Sequence, residues 1–268
     1  MKISIDNLVI EITQKCNMQC YHCLRGAARR NNTSKQMINR IFDLFNGCIS
    51  SLTIGGGEPS MNIDALEDIQ ANMIRSDNVH SVYIVTNGRV YKEKFLDKVY
   101  NLFNAVCYDD GCYDDGTSRL AFSFDRYHDG CLSVNEIQKR DSNYRRTIEY
   151  FEDRGVCDVV EKHTDRTKSH DLNIIAMGRA ATFGTKILKP KLIEYEIQGG
   201  ELSIEEPELY INHKGYIFSS CDLSYEEMTK RSKFYVGDIH NMKDPHDFLK
   251  AVKFYNKKIL RAISQDKL

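Results

Sequence analysis

NLVIEITQKCNMQCYHC, residues 7–23, joins a run of apolar and β-branched residues to three closely spaced cysteines. Residues 7–13 predict a buried strand, and the loop that follows carries Cys16, Cys20 and Cys23. Three thiols within eight residues can point to one place only if the loop wraps around a central group. In a reducing compartment, clustered cysteines more often bind metal or do chemistry than form disulfides.

Two kinds of metal site are compatible with this cysteine spacing. Three thiolates leave a four-coordinate metal one ligand short, so a structural zinc would take its fourth ligand from His22 or from a distant cysteine. A cubane iron–sulfur cluster normally takes four cysteines, one on each iron. Three cysteines would leave one iron open to a ligand from outside the chain. Both readings remain open at this point.

Strand patterns and helix patterns alternate from the cysteine loop to about residue 190. The predicted strands cover 7–13, 49–54, 79–88, 120–125, 157–161, 172–177 and 193–198. The predicted helices cover 35–46, 63–75, 91–104, 133–154 and 246–264. Alternation with short connections predicts parallel strands joined by right-handed crossovers.

These elements predict an α/β fold, a partial (β/α)6 TIM-like barrel. A complete eight-fold barrel needs about 250 residues, and too few strand–helix units are visible for one. The pattern changes after about residue 190, where residues 201–221 predict a β-hairpin with Lys214-Gly215 at its turn. We therefore expect a barrel core over residues 1–190 and a hairpin-and-helix extension over 191–268 that closes the barrel.

Composition narrows the class of protein. The 268 residues are 41% hydrophobic and carry a net charge of −1, from 37 basic and 38 acidic residues. A sizeable core can form, and a globally basic nucleic-acid binder is disfavoured. The sequence has no run of about 18 apolar residues, which argues against a helical membrane span. The N-terminal residues lack the apolar core of a signal peptide, so we expect a cytoplasmic location.

Polar motifs follow each of the first four predicted strands. The cysteine loop follows the first strand, and the next three strands end in Gly55-Gly56-Gly57-Glu58, in Thr86-Asn87-Gly88 and in Ser123-Phe124-Asp125. In parallel barrels and sheets the carboxyl ends of the strands meet at one face, where functional sites gather. The sequence therefore predicts one site built from all four motifs.

The C-x3-C-x2-C spacing after a first strand resembles that of the radical S-adenosylmethionine (SAM) superfamily. The resemblance implies one [4Fe-4S] cluster on Cys16, Cys20 and Cys23, whose open iron chelates SAM. It also implies reductive cleavage of SAM to a 5'-deoxyadenosyl radical, which takes a hydrogen atom from the substrate. An electron donor such as a flavodoxin or ferredoxin would supply the reduction. His22 stands at a position that contacts adenine in relatives.

The other motifs resemble stretches that bind SAM in the same superfamily. Gly56 and Gly57 would let the backbone approach the SAM ammonium closely, and Glu58 would stabilise their turn. The remaining positions implied to contact SAM are Asn87, Ser123, Asp125 and Gly178, the last beside adenine within residues 174–180. One of Arg140, Arg145 and Arg146 would reach the SAM carboxylate, as in some relatives. No further catalytic residue is identified.

Residues 212–221 resemble the start of the C-terminal SPASM or twitch extension of peptide-modifying relatives. Cys221 is the only cysteine beyond residue 157, and an auxiliary cluster needs about four ligands, so we expect a degenerate extension and a single cluster. This resemblance favours a peptide or protein substrate. The cations Arg25, Arg29, Arg30 and Lys35 favour a nucleotide or another anionic small molecule. A third reading is a non-catalytic metal-binding module on the same scaffold.

Overall fold

Five parallel strands form the part of the sheet that carries the cysteine loop. They are β1 (Lys2–Thr13), β2 (Ile49–Gly56), β3 (Val82–Thr86), β4 (Arg119–Ser123) and β5 (Val160–His163), and they lie side by side in this order. Each strand pairs in parallel with the next. The structure, a computed structural model, describes residues 1–107, 118–124, 126–163, 175–182, 184 and 186–265.

Helices alternate with these strands, as the sequence predicts. They are α1 (Lys35–Leu44), α2 (Ile63–Ser76), α3 (Glu93–Phe103), the single turn α4 (Arg126–Asp129) and α5 (Val134–Glu152). The four long helices begin and end within two residues of the predicted bounds. The short α4 follows the end of β4 and was not predicted.

Side-chain caps set where two of these helices begin. The Ser34 hydroxyl accepts a hydrogen bond from the Met37 backbone N–H at 3.2 Å and starts α1. At the start of α5, Ser133 and Glu136 form a capping box in which each side chain accepts from the other residue's backbone. Such caps satisfy backbone donors that have no partner inside the helix.

The chain after residue 190 adds five more strands and a last helix. The strands are β6 (Glu194–Gln198), β7 (Glu201–Glu206), β8 (Leu209–Ile211), β9 (Tyr216–Phe218) and β10 (Tyr235–Asp238). Strands β7 and β8 pair in parallel with successive parts of β1, on the edge away from β2. The pairs β6–β7, β8–β9 and β9–β10 are antiparallel.

The predicted partial barrel is confirmed: the described sheet is mostly parallel and is not closed. The predicted hairpin is β8–β9, and Lys214-Gly215 lies at its turn, where Gly215 has a φ of +76°. The predicted strand at 172–177 lies partly outside the described residues; its described part makes one parallel bridge, between Ile175 and Lys186. The division at residue 190 stays a prediction.

The last helix, α6 (Pro245–Ile263), packs one apolar face on the sheet and α1. Phe248 is fully buried, and its ring contacts that of Phe45 edge to face with centroids 5.4 Å apart. Phe254, two turns along the same helix, is 73% exposed. Within the described ranges, none of the helices is long and apolar enough to cross a membrane.

Phe248→Ala should lower the free energy of unfolding by about 3–5 kcal/mol, because it leaves a cavity between α6 and α1. The matched change Phe254→Ala, at an exposed position of the same helix, should alter it by no more than about 0.5 kcal/mol. Denaturant titration followed by circular dichroism measures both values. Equal effects of the two changes would contradict the packing of α6 described above.

Candidate active site

A cavity of about 240 Å³, partly open to solvent, lies at the carboxyl ends of β1 to β4. It brings together most of the residues that the sequence predicts for the site. Those on its wall are Cys16, Cys20, His22, Cys23, Gly56, Gly57, Glu58, Asn87 and Ser123. Asp125 lies outside the described residues, and Gly178 lies behind the cysteine loop rather than on the wall.

The cysteine loop is held by hydrogen bonds to its own carbonyl groups. Within the loop, the Cys23 N–H donates to the Cys20 carbonyl at 3.1 Å. From the 3-10 helix Gly178–Thr182, the Arg179 side chain donates to the Cys20 carbonyl at 2.9 Å and the Arg179 N–H donates to that of Cys23 at 3.0 Å. Arg179 therefore fixes the backbone between the second and third thiols from outside the loop.

Burial keeps two of the three thiols neutral in the chain without metal. It raises the pKa of the Cys16 thiol, and it raises the pKa of the Cys20 thiol to about 12, with a further contribution from Cys131 beside it. The loop can therefore fold without repulsion between thiolates. Iron binding must then displace these protons.

All three thiols line the cavity, and Cys20 lies close enough to Cys16 and Cys23 to interact with both electrostatically. Among the residues that the structure describes, no three His, Cys, Asp or Glu side chains are grouped so that they could hold a single metal ion. A cubane binds each thiolate at a different iron, so it spreads its ligands more widely than a tetrahedral zinc ion does. Three thiols on the wall of one open cavity fit a cubane that leaves one iron free.

The glycine turn contacts the cysteine loop through backbone atoms. The Gly57 N–H donates to the Thr13 carbonyl at 2.7 Å, and the Glu58 N–H donates to the Lys15 carbonyl at 2.7 Å. A Cβ at Gly56, where φ is +135°, would overlap the Thr13 carbonyl oxygen. A Cβ at Gly57 would overlap that of Lys15.

This geometry gives a further reason for the two glycines, beside the approach to SAM that the sequence suggested. Gly56 and Gly57 line the cavity, but the space beside each Cα that lacks a side chain is filled by the backbone that leads into Cys16. The absence of a side chain at both glycines therefore allows the cysteine loop to pack against this turn. A contact of their backbone with SAM stays a prediction.

Glu58 joins the glycine turn to the turn after β3. Its side chain is 2% exposed and accepts hydrogen bonds from the Ser60 N–H at 3.2 Å, the Thr86 hydroxyl at 2.8 Å and the Asn87 N–H at 2.9 Å. Three donors stabilise a buried carboxylate that would otherwise be costly. Asn87 in turn donates to the Asn17 side chain at 2.8 Å, next to Cys16.

Gly178 packs against the cysteine loop, where a Cβ would overlap the Leu24 carbonyl oxygen. This close packing explains why position 178 is a glycine. Contact of Gly178 with adenine stays a prediction. His22 lies on the cavity wall with its ring 4.8 Å from that of His128, edge to face. Of the three helix arginines, Arg140 is 1% exposed, pairs with Asp129 and does not line the cavity.

Sequence reasoning did not single out several residues of the cavity wall, among them Tyr225 and Arg179. Tyr225 comes from the C-terminal region, about 200 positions from the loop it covers, and its N–H donates to the Arg25 carbonyl at 3.1 Å. Arg179 lies inside the stretch 174–180 that drew attention for its glycine. No local sequence pattern predicts the contact of Tyr225. For Arg179, the family resemblance pointed to the segment that contains it, residues 174–180.

Parallel strands, a three-thiol loop and a glycine turn around one cavity define a barrel-type metalloenzyme. The Radical SAM superfamily model matches residues 10–160. The chain therefore belongs to the radical SAM superfamily, whose enzymes use a [4Fe-4S] cluster and SAM.

Two curated relatives and one solved structure are similar to this chain. Probable GTP 3',8-cyclases match from Methanocaldococcus jannaschii, at 30% identity over 107 residues, and from Methanococcus maripaludis, at 26% over 94 residues. These matches span 37% and 34% of this chain and 35% and 31% of the relatives, so they cover only about a third of each cyclase. The solved structure of native anSMEcpe with bound AdoMet and Cp18Cys peptide shares the fold, with a TM-score of 0.51 and 11% identity over 97% of this chain and 82% of that one.

Gly57→Ala should displace the cysteine loop and lower the iron content per chain after anaerobic reconstitution. Its crowding against the Lys15 carbonyl should also cost about 1–3 kcal/mol of stability. Gly55→Ala is the matched control, since a Cβ there meets nothing within 4 Å. Iron analysis and denaturant unfolding of both variants check this. Full iron content in Gly57→Ala would show that the glycine does not position the loop.

Proposed function

We propose that this radical SAM enzyme abstracts a hydrogen atom from a substrate bound in the cavity at the carboxyl ends of β1 to β4. When bound, the cluster and SAM supply a 5'-deoxyadenosyl radical. The observation that supports the proposal is the convergence of the cysteine loop, the glycine turn and the turn after β3 on one cavity wall.

The residues of the wall divide into two proposed groups. Cys16, Cys20 and Cys23 would hold the cluster. The positions that would contact SAM are His22, Gly56, Gly57, Glu58, Asn87, Ser123, Asp125 and Gly178. Glu58 would act by holding the two turns together, because its carboxylate oxygens already accept three hydrogen bonds.

The C-terminal region would keep water from the reacting groups. Tyr225 is 4% exposed and lines the cavity. Arg25 of the cysteine loop donates to the Leu223 carbonyl at 2.6 Å, and its own carbonyl accepts from the Tyr225 N–H at 3.1 Å. These contacts tie the C-terminal segment to the loop, so that the wall of the cavity includes both.

Two substrate classes have support. A peptide or protein substrate is favoured by the resemblance of residues 212–221 to the start of a SPASM or twitch extension, and anSMEcpe was solved with a peptide. A nucleotide or another anionic small molecule is favoured by Arg25 and Arg179 on the cavity wall and by the GTP 3',8-cyclases among the relatives. A flavodoxin or ferredoxin in the cytoplasm is the proposed electron donor.

Each of Cys16→Ser, Cys20→Ser and Cys23→Ser should lose the cluster, because a hydroxyl is a weaker iron ligand than a thiolate. The parent should hold about four irons per chain and form 5'-deoxyadenosine from SAM under reducing conditions. Iron analysis and chromatography of the products measure both.

Two other cysteines provide controls for these variants. Cys157→Ser changes an exposed thiol, and Cys221→Ser changes the one in the C-terminal region; both should keep iron and SAM cleavage. About eight irons in the parent, falling to four in Cys221→Ser, would reveal a second cluster. A full cluster without any SAM cleavage in the parent would support the non-catalytic module instead.

A further inference from the structure

The cavity wall holds two guanidinium groups with different surroundings. Arg179 is occupied by the cysteine loop, since it donates to the Cys20 carbonyl at 2.9 Å and lies close enough to Cys16 to affect that thiol electrostatically. Arg25 lies on the side of the C-terminal region. Glu58, the carboxylate on the described wall, already accepts three hydrogen bonds. It therefore has little capacity left to bind a cation.

The groups in direct contact with Arg25 are neutral at neutral pH. Its guanidinium carbon lies 4.6 Å from the centre of the Tyr210 ring, and one terminal nitrogen donates to the Leu223 carbonyl at 2.6 Å. Tyr225 and Cys221 are also close enough to interact with it. An arginine keeps its positive charge in proteins and has five N–H donors. Most of these donors remain for a ligand in the cavity.

Glu11 is the carboxylate that attracts the Arg25 charge, but its oxygens accept hydrogen bonds from other groups. It is fully buried and accepts hydrogen bonds from the Tyr210 hydroxyl at 2.6 Å, the His213 N–H at 3.1 Å and the Gln14 side chain at 3.0 Å. Within the described ranges no carboxylate oxygen lies within 4 Å of an Arg25 nitrogen. Its attraction to Glu11 acts over a longer distance.

Arg29 provides a contrast with Arg25, because it is more exposed and has a direct ion-pair partner. It lies four residues further along the same segment, its side chain is 40% exposed, and it pairs with Glu226 at 3.0 Å. Surface pairs of this kind contribute little. Arg25 is half-buried, and a guanidinium withdrawn from solvent without a direct ion pair is costly unless an anion compensates it. Planar guanidinium groups bind carboxylate and phosphate through two parallel hydrogen bonds.

We propose that Arg25 binds an oxyanion of the substrate, a carboxylate or a phosphate, and so determines the substrate class. The inference rests on the proposed function, because it places the substrate in the same cavity. A carboxylate would come from an organic acid or an acidic amino acid, and a phosphate from a nucleotide. The two sources share this chemistry and are separated by the experiment.

Calorimetric titration of the reconstituted enzyme, with SAM bound, tests the proposal with two probes, inorganic pyrophosphate and succinate. The parent should bind at least one of them. Arg25→Gln should weaken that binding roughly 10- to 100-fold, the effect of losing a charge-assisted pair of hydrogen bonds. Arg25→Lys should lose less, because it keeps the charge but not the planar fork. Arg75→Gln, a change at an exposed ion pair of α2 that does not line the cavity, should bind like the parent.

The choice between the sources follows from the probe that binds and is sensitive to Arg25. Pyrophosphate alone would assign a phosphate, succinate alone a carboxylate, and both a general oxyanion site. Unchanged probe affinity in Arg25→Gln, or binding of neither probe to the parent, would overturn the proposal. So would an equal loss of SAM affinity in Arg25→Gln, since it would assign the guanidinium to SAM.

Two measurements separate the possible causes of failure. A purely structural Arg25 would lower the unfolding midpoint without changing probe affinity; if Arg25→Gln does not fold, an Arg25→Lys variant with parental affinity for both probes overturns the proposal. SAM cleavage by the parent is measured separately. Its absence would remove the proposed function, whereas cleavage with probe affinity that is independent of Arg25 would remove only this inference.

Discussion

The site depends on one backbone contact, between the end of β2 and the segment that leads into the cysteine loop. Two hydrogen bonds, from Gly57 to Thr13 and from Glu58 to Lys15, hold the turn against the loop. They form only because neither glycine has a Cβ. Since Glu58 also accepts from the turn after β3, the ends of three neighbouring strands are fixed relative to the three thiols.

A second set of contacts joins the C-terminal region to this framework. β7 and β8 pair with β1, the strand that ends at the cysteine loop. The buried Glu11 of β1 accepts from Tyr210 and His213. Burial alone raises the pKa of Glu11, but these hydrogen bonds lower it below its usual value. The C-terminal region that stabilises this carboxylate also contributes Tyr225 to the cavity wall. The same region therefore supports both the fold and the wall.

The sequence predicted the elements well because their signals are local. Strand runs and helical apolar faces lie within one segment, and parallel strands place their ends at one face, so most of the proposed residues share a cavity. The partner of Gly57 was not predictable, since it depends on the register in which Thr13 lies opposite Gly56. Tyr225 was missed because its contact joins distant segments. One of Arg140, Arg145 and Arg146 was expected to reach SAM, and the pairing of Arg140 with Asp129 inside the fold becomes visible only in three dimensions.

The central claim is that the three thiols hold a [4Fe-4S] cluster whose open iron is accessible from the cavity. Electron paramagnetic resonance of the reconstituted and reduced protein, recorded with and without SAM, tests this claim most directly. The account predicts the signal of a reduced [4Fe-4S] cluster in the parent and a change in that signal when SAM is added. A cluster signal that SAM leaves unchanged, or iron bound without such a signal, would contradict it.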